Sequence, residues 1–347
     1  MTPYEQLKTD ISGASLVVQT PWLSLECEVE EGTPANLNAA LAELHRYPIC
    51  YIHPRRIIFR DLFSVFRHES RLELPGTTPE DWSEYISDAV GAESFPLPHA
   101  QFTWDVEEVI RFSRTSVPGV CDTIAAFSVL RKYIHESLLQ NSEKKIIDKL
   151  ERLKADPERF RRGVALLVQQ NHHVTQKSRV ALQGCVSAFP AIFNKASKYI
   201  ESETGHDGLV MKALSLLGID SESRANVMAE TKVLVEILAI ASRTSVLAFA
   251  SMIEFFEAGS SSREHPVATL LAGTPFAAAA VPLQRHRNIN VDFGHASSAM
   301  SFLLECEHAS IAAIRTAVKL AEIAILVRRA LLQRLESELH LLVCAGS

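Results

Sequence analysis

Nowhere in this chain do 18 apolar residues follow one another, which removes the plainest signature of a membrane-spanning helix. Basic tracts are missing as well. The formal net charge is -6, so a phosphate-neutralising nucleic-acid surface is not expected. No Cys-x-x-Cys occurs among Cys27, Cys50, Cys121, Cys185, Cys306 and Cys344, and their scatter predicts free, mostly buried thiols in a reducing cytoplasm. Met1 to Asp10 lacks the basic-then-apolar order of a signal peptide, in keeping with a cytoplasmic location. A nucleophile elbow is absent, which leaves acyl transfer without support. The run Ser260-Ser261-Ser262 lacks the glycine framework of a phosphate cradle. There is no internal repeat and no low-complexity tail.

What is present is an ordinary globular composition: 347 residues, 47% hydrophobic and 22% charged, enough for a substantial core. The fold class expected is all-α. Residues 1–118 read as an irregular, mostly helical N-terminal region, cut into short pieces by Pro21, Pro34, Pro48, Pro54, Pro75, Pro79, Pro96 and Pro98. Thr33-Pro34 and Thr78-Pro79 each look like a capped helix start. Leu16–Val18 with Leu23–Val29, and Ile49–Ile52 with Ile57–Phe59, are candidate short strands. Pro118-Gly119 marks the expected boundary, and residues 119–347 read as a helical bundle. Its helices are expected at 121–138, 143–153, 157–176, 188–216, 222–257, 265–272, 276–310 and 311–338.

Two short motifs stand out, Glu203-Thr204-Gly205-His206 and Asp292-Phe293-Gly294-His295. On a continuous helix each would place a carboxylate and an imidazole one turn apart on a shared face. Two such faces meeting inside a bundle would make an iron or manganese site.

With their surroundings, Tyr199–Leu214 and Asn288–His295, these motifs resemble the haem-oxygenase-like diiron oxidase and oxygenase family, relatives of thiaminase II and pyrroloquinoline-quinone synthase. The resemblance covers about residues 120–335. It implies a haem-oxygenase-like bundle with Glu203, His206, Asp292 and His295 as metal ligands. The family's third metal helix reads His-x-x-x-Asp-x-x-His, and here the matching positions are Asn288, Asp292 and His295. Its first metal helix carries a glutamate, matched here by Gln170, or by Gln169 in a shifted register, in Val164–Val174. A further carboxylate of many members falls where Lys195 and Ala196 stand. Gln170 and Asn288 are thus substituted ligand positions. A neutral amide oxygen is a poor partner for a hard cation, so one iron is expected rather than two, or none.

The function expected from the resemblance is a non-haem iron oxidase or oxygenase. It would act with dioxygen on a small amino-acid-like metabolite, in natural-product biosynthesis. The alternative is a metal-free pseudoenzyme, or a ligand- or partner-binding member of the same fold. Catalytic and substrate-binding residues are not legible in the sequence, nor whether a homodimer or a paralogous partner subunit completes the site. Restoring the family pattern with Gln170→Glu and Asn288→His should tighten iron binding if this alignment holds. His172 and His173 read as ordinary helix residues or substitute ligands, and His265 and His286 as surface residues near helix ends. Glu305, Glu307 and His308 read as the solvated side of a helix. Arg55, Arg56, Arg60 and Arg67 read as a solvated face or an anion site.

Overall fold

The computed structural model describes the backbone of 8–12, 15–19, 24–28, 49–53 and 56–59, together with residues 103–140, 143–219, 227–258, 264–293 and 295–344. The expected helices at Thr33-Pro34 and Thr78-Pro79 lie outside these residues, as do Arg55, Arg60 and Arg67. The candidate strands are present. β1 (Lys8–Ser12), β2 (Ser15–Gln19) and β3 (Ser24–Glu28) form an antiparallel sheet in that order, with Asp10 opposite Val17 and Val17 opposite Glu26. β4 (Ile49–His53) pairs with β5 (Arg56–Phe59) as a hairpin.

From residue 103 onward the fold is all-α. Its helices are α1 (Val106–Ser113), α2 (Thr123–Gln140), α3 (Lys144–Leu153), α4 (Pro157–Ala188), α5 (Phe193–Ser202), α6 (His206–Leu216), α7 (Ala229–Thr244), α8 (Val246–Glu257), α9 (Pro266–Leu271), α10 (Ala280–Asp292), α11 (His295–Leu303) and α12 (Ile311–Cys344). Two short strands interrupt them, β6 (Val120–Asp122) and β7 (His308–Ser310), paired antiparallel. Each strand runs straight into a helix and supplies its cap. Asp122 accepts from the amide of Ala125, and Ser310 from that of Ala313. His308 and Glu307 therefore belong to this clasp rather than to a helix, and Glu305 pairs with Lys195 at 2.7 Å.

The bundle is organised around α12 and α8. Ala317, Val318, Leu320, Ala321, Ile323, Ala324 and Val327 are fully buried on α12, and almost every residue of α8 is buried. Helices apolar on all sides belong in the middle of a bundle. α8 packs on α12 and α11, α12 also on α7 and α3, and α4 runs along α7 and α6. Phe249 of α8 stacks on Phe302 of α11 with centroids 5.2 Å apart. α1 lies before Pro118-Gly119, yet Val109 and Ile110 are buried in this same core. Among the described residues no helix is long and apolar enough to cross a membrane.

Three expected helices are broken. The first of them, 188–216, divides at the 3-10 turn Pro190–Ile192 and again at Gly205, whose φ of +88° only glycine adopts readily. The second, 222–257, divides at Ser245, which is extended (φ -160°, ψ 157°) and whose hydroxyl caps Ala248. The third, 276–310, ends α10 at Asp292 and restarts α11 at His295. Conversely α4 runs twelve residues past the expected 176, to Ala188, because Ala181, Leu182 and Cys185 continue its buried face.

Candidate metal centre

Four helix ends meet at one buried point. Glu203 is the C-cap of α5, His206 the first residue of α6, Glu257 the last of α8 and His295 the first of α11. Glu203, Glu257 and His295 each offer a ligand atom within 4.8 Å of one another. His295 Nδ1 lies 3.2 Å from Glu203 Oε1 and 3.7 Å from Glu257 Oε1, while His206 Nδ1 lies 3.4 Å from Glu203 Oε2. The His206 and His295 rings are stacked at 5.7 Å, and His286 meets His206 edge-on at 5.0 Å.

The tautomer of His295 follows from its neighbours. Ser202 Oγ donates to the carbonyl of Tyr199, so its contact with His295 Nε2 at 3.0 Å has Ser202 accepting and the ring donating. With the proton on Nε2, a neutral His295 turns the lone pair of Nδ1 toward two carboxylate oxygens. That arrangement is repulsive until a proton or a cation sits between them. Burial lowers the proton affinity of His295, yet the carboxylates of Glu257 and Glu203 raise it further, and the net shift is upward.

Several buried atoms here lack a hydrogen-bond partner: Glu203 Oε1, His206 Nδ1 and Nε2, and His295 Nδ1. Each such orphan costs about 1–3 kcal/mol, and their convergence is what a ligand set shows without its ion. Both carboxylates also sit at helix C-termini, where the macrodipole is negative and an acid is disfavoured. A cation relieves both costs. Two carboxylates with one or two imidazoles suit iron or manganese, so the residues present fit such an ion. Tyr199, buried, donates its hydroxyl to Glu257 Oε1 at 3.3 Å and orients it. Burial, then the charges of Glu257 and Glu203, hold the phenol well above its ordinary range, so it remains a donor.

The structure places several of the expected positions away from this cluster. Asp292 is exposed at the end of α10 and outside the cluster, because the junction between α10 and α11 removes the shared face that a continuous helix would give. Glu257 takes the second acidic place. Gln170 is buried, but its Oε1 accepts from the Met228 amide (3.0 Å) and the Thr231 hydroxyl (2.8 Å), and its Nε2 donates to the Leu166 carbonyl. It fastens α4 to the start of α7. The face of α4 that reaches the site begins one residue later, with Asn171, Thr175 and Ser178. Asn288 is exposed and accepts from Gln284 at 2.9 Å. His172 is buried and His173 half-buried, both outside the cluster. His265 caps α9, and His286, read as a surface residue, is buried against the centre.

Sequence reasoning missed Glu257, although a signal was available. Glu254 and Glu257 are the two acids in an otherwise almost wholly apolar helix that the core encloses. Glu254 is satisfied by Arg131 at 3.0 Å and His135 at 2.5 Å. Glu257 faces the centre.

A cavity of about 130 Å³ opens beside Glu203 and Glu257, with Leu182, Leu238, Ile253 and Phe256 among its apolar walls and Asn171, His286 and Asn290 among its polar ones. No protein-family model, curated protein or solved structure matches the chain.

Proposed function

We propose that this bundle is a non-haem metal oxidase or oxygenase, iron its preferred ion, acting with dioxygen on a small metabolite in the adjacent cavity. The observation that carries the reading is buried His295 Nδ1 facing a carboxylate oxygen of Glu203 at 3.2 Å and one of Glu257 at 3.7 Å, three groups that converge within ligand distance of one another. Glu203, Glu257 and His295 would hold one ion, with His206 beside them as a further ligand. Ferrous iron bound there would supply dioxygen activation. The protein's own contribution is placement: Ser202 fixes the His295 ring, Tyr199 orients Glu257, and the apolar wall keeps bulk water from the reacting atoms. The resemblance of Glu203-Thr204-Gly205-His206 to the haem-oxygenase-like oxidases supports the same reading.

A second reading rests on the raised proton affinity of His295. In a metal-free member the proton itself would bridge the carboxylates, and the bundle would bind a ligand or partner without redox chemistry. Metal content after anaerobic ferrous loading and desalting separates the two. About one iron per chain, lost in His295→Ala and in Glu257→Gln and kept in Asp292→Asn, is the expected result. No retained iron in the parent protein overturns the metal reading.

A further inference from the structure

At about 130 Å³ the cavity beside the centre approaches the roughly 150 Å³ that accepts one benzene ring. Its two sides differ. Leu238 of α7 with Ile253 and Phe256 of α8 makes an apolar side, which Leu182 of α4 extends. The other side comes from α4, where Asn171, Thr175 and Ser178 fall at i, i+4 and i+7 and so share one stripe of the helix. A polar stripe turned toward a bundle interior costs free energy unless something polar meets it.

The two hydroxyls on that stripe have a fixed polarity. Thr175 Oγ1 donates to the His172 carbonyl and Ser178 Oγ to the Thr175 carbonyl, each at 3.0 Å. A hydroxyl carries one hydrogen, so what both have left for the cavity is acceptor lone pairs. An O–H donor on a ligand complements them. A phenol suits both sides at once. Its hydroxyl is more acidic than an aliphatic one and donates more strongly, its ring has about the volume of the cavity, and Phe256 offers that ring an aromatic neighbour.

We propose that the cavity binds a single-ring phenol, its ring against Leu238, Ile253 and Phe256 and its hydroxyl donated to Thr175 or Ser178. The inference rests on the metal reading only in making that phenol the substrate, and it narrows the small metabolite to a compact aromatic one.

The test is fluorine NMR titration of the full chain with para-fluorophenol and with fluorobenzene, followed by displacement with phenol, cyclohexanol and para-tert-butylphenol. Metal-free and zinc-loaded samples are run in parallel, with zinc stoichiometry measured on each. Para-fluorophenol should bind about fivefold more tightly than fluorobenzene, which lacks only the hydroxyl. Phenol should displace it more effectively than cyclohexanol does, and para-tert-butylphenol, too large for the cavity, should not displace it. Thr175→Val with Ser178→Ala should remove the preference for the phenol while fluorobenzene still binds, and that retained binding shows the variant to be folded. Should the double variant not fold, the two single variants and the parental order of ligands decide. Fluorobenzene bound as tightly as para-fluorophenol, cyclohexanol as effective as phenol, displacement by para-tert-butylphenol, no binding of any probe, or a folded double variant that keeps the preference overturns the inference. Zinc retained without phenol binding leaves the centre standing and removes this proposal. Phenol bound by a chain that retains no zinc upholds this inference and removes the metal reading.

Discussion

Replacing Glu257 by glutamine is the perturbation that most directly tests the centre. Glutamine keeps an oxygen to accept the Tyr199 hydroxyl and nearly the same volume, but removes one of the two carboxylate charges that face His295. At a free metal concentration one hundred times the parental Kd, binding stabilises the folded state by about 2.7 kcal/mol. For a domain of 150–250 residues that corresponds to a rise in Tm of about 5–11 °C. Loss of an anionic ligand should weaken binding by about a hundredfold, at least the upper end of what outer-shell changes produce. The same metal concentration then lies near the Kd, and the stabilisation falls to about 0.4 kcal/mol, or about 1–2 °C. The assay is anaerobic thermal unfolding with and without a chelator-buffered ferrous ion. Each variant is compared with its own metal-free form, because Glu257→Gln also removes a partner of His295. Asp292→Asn is the control, since Asp292 is exposed and outside the cluster, and it should keep the full shift. A Glu257→Gln protein that retained most of the parental rise, or an Asp292→Asn that lost it, would refute the ligand assignment.

Three further outcomes are expected. Gln170→Glu should not tighten metal binding and should destabilise the fold by about 1–3 kcal/mol in denaturant titration, because it removes the donor to Leu166 and buries a charge; tighter iron binding would restore the family alignment. Buried Glu322 accepts from the amides of Thr103 and Trp104, and burial raises its pKa above 4.5 more strongly than those donors lower it. Its protonated form therefore adds stability below pH 4.5 that is lost as pH rises through the folded pKa. Glu322→Gln should be at least as stable as the parent at pH 7 and lack that slope, while Glu322→Leu, which orphans both amides, should lose about 1–3 kcal/mol. The pKa of His265 is pushed down to about 4, by burial first and then by Arg287. The unfolded chain takes up that proton near pH 6.5, so stability falls as pH drops from 6.5 toward 4; His265→Asn, which preserves the cap on Ala268, should flatten thermal unfolding over that window.

The helical class was legible because apolar periodicity persists through α4, α7 and α12. Glu203, His206 and His295 stood out in the sequence as acids and imidazoles three residues apart within two short motifs, and the structure brings these three together. Their geometry was not legible. Both motifs carry a glycine directly before the histidine, and at Gly205 that glycine ends one helix so that the histidine can begin another. Reading each motif as one helical turn therefore placed Asp292 on a face that does not exist. Gln170 and Asn171 show a related limit: a one-residue difference rotates a helical side chain by about 100°, enough to exchange a structural tether for a cavity wall. Glu257 escaped because the apolar run around it looks like plain core, and only tertiary packing distinguishes it from Glu254, which Arg131 and His135 occupy.

Assembly of the centre from helix ends has a kinetic consequence. A ligand in mid-helix is released only when the turns on both sides unwind, an event that approaches global unfolding in cost. A terminal turn frays at a small fraction of that free energy. Glu203, His206, Glu257 and His295 all occupy such turns, so each can withdraw while α8 and α12 keep the bundle closed. The rate at which an ion held there would enter or leave is thereby set by four local openings and decoupled from the lifetime of the fold that surrounds it.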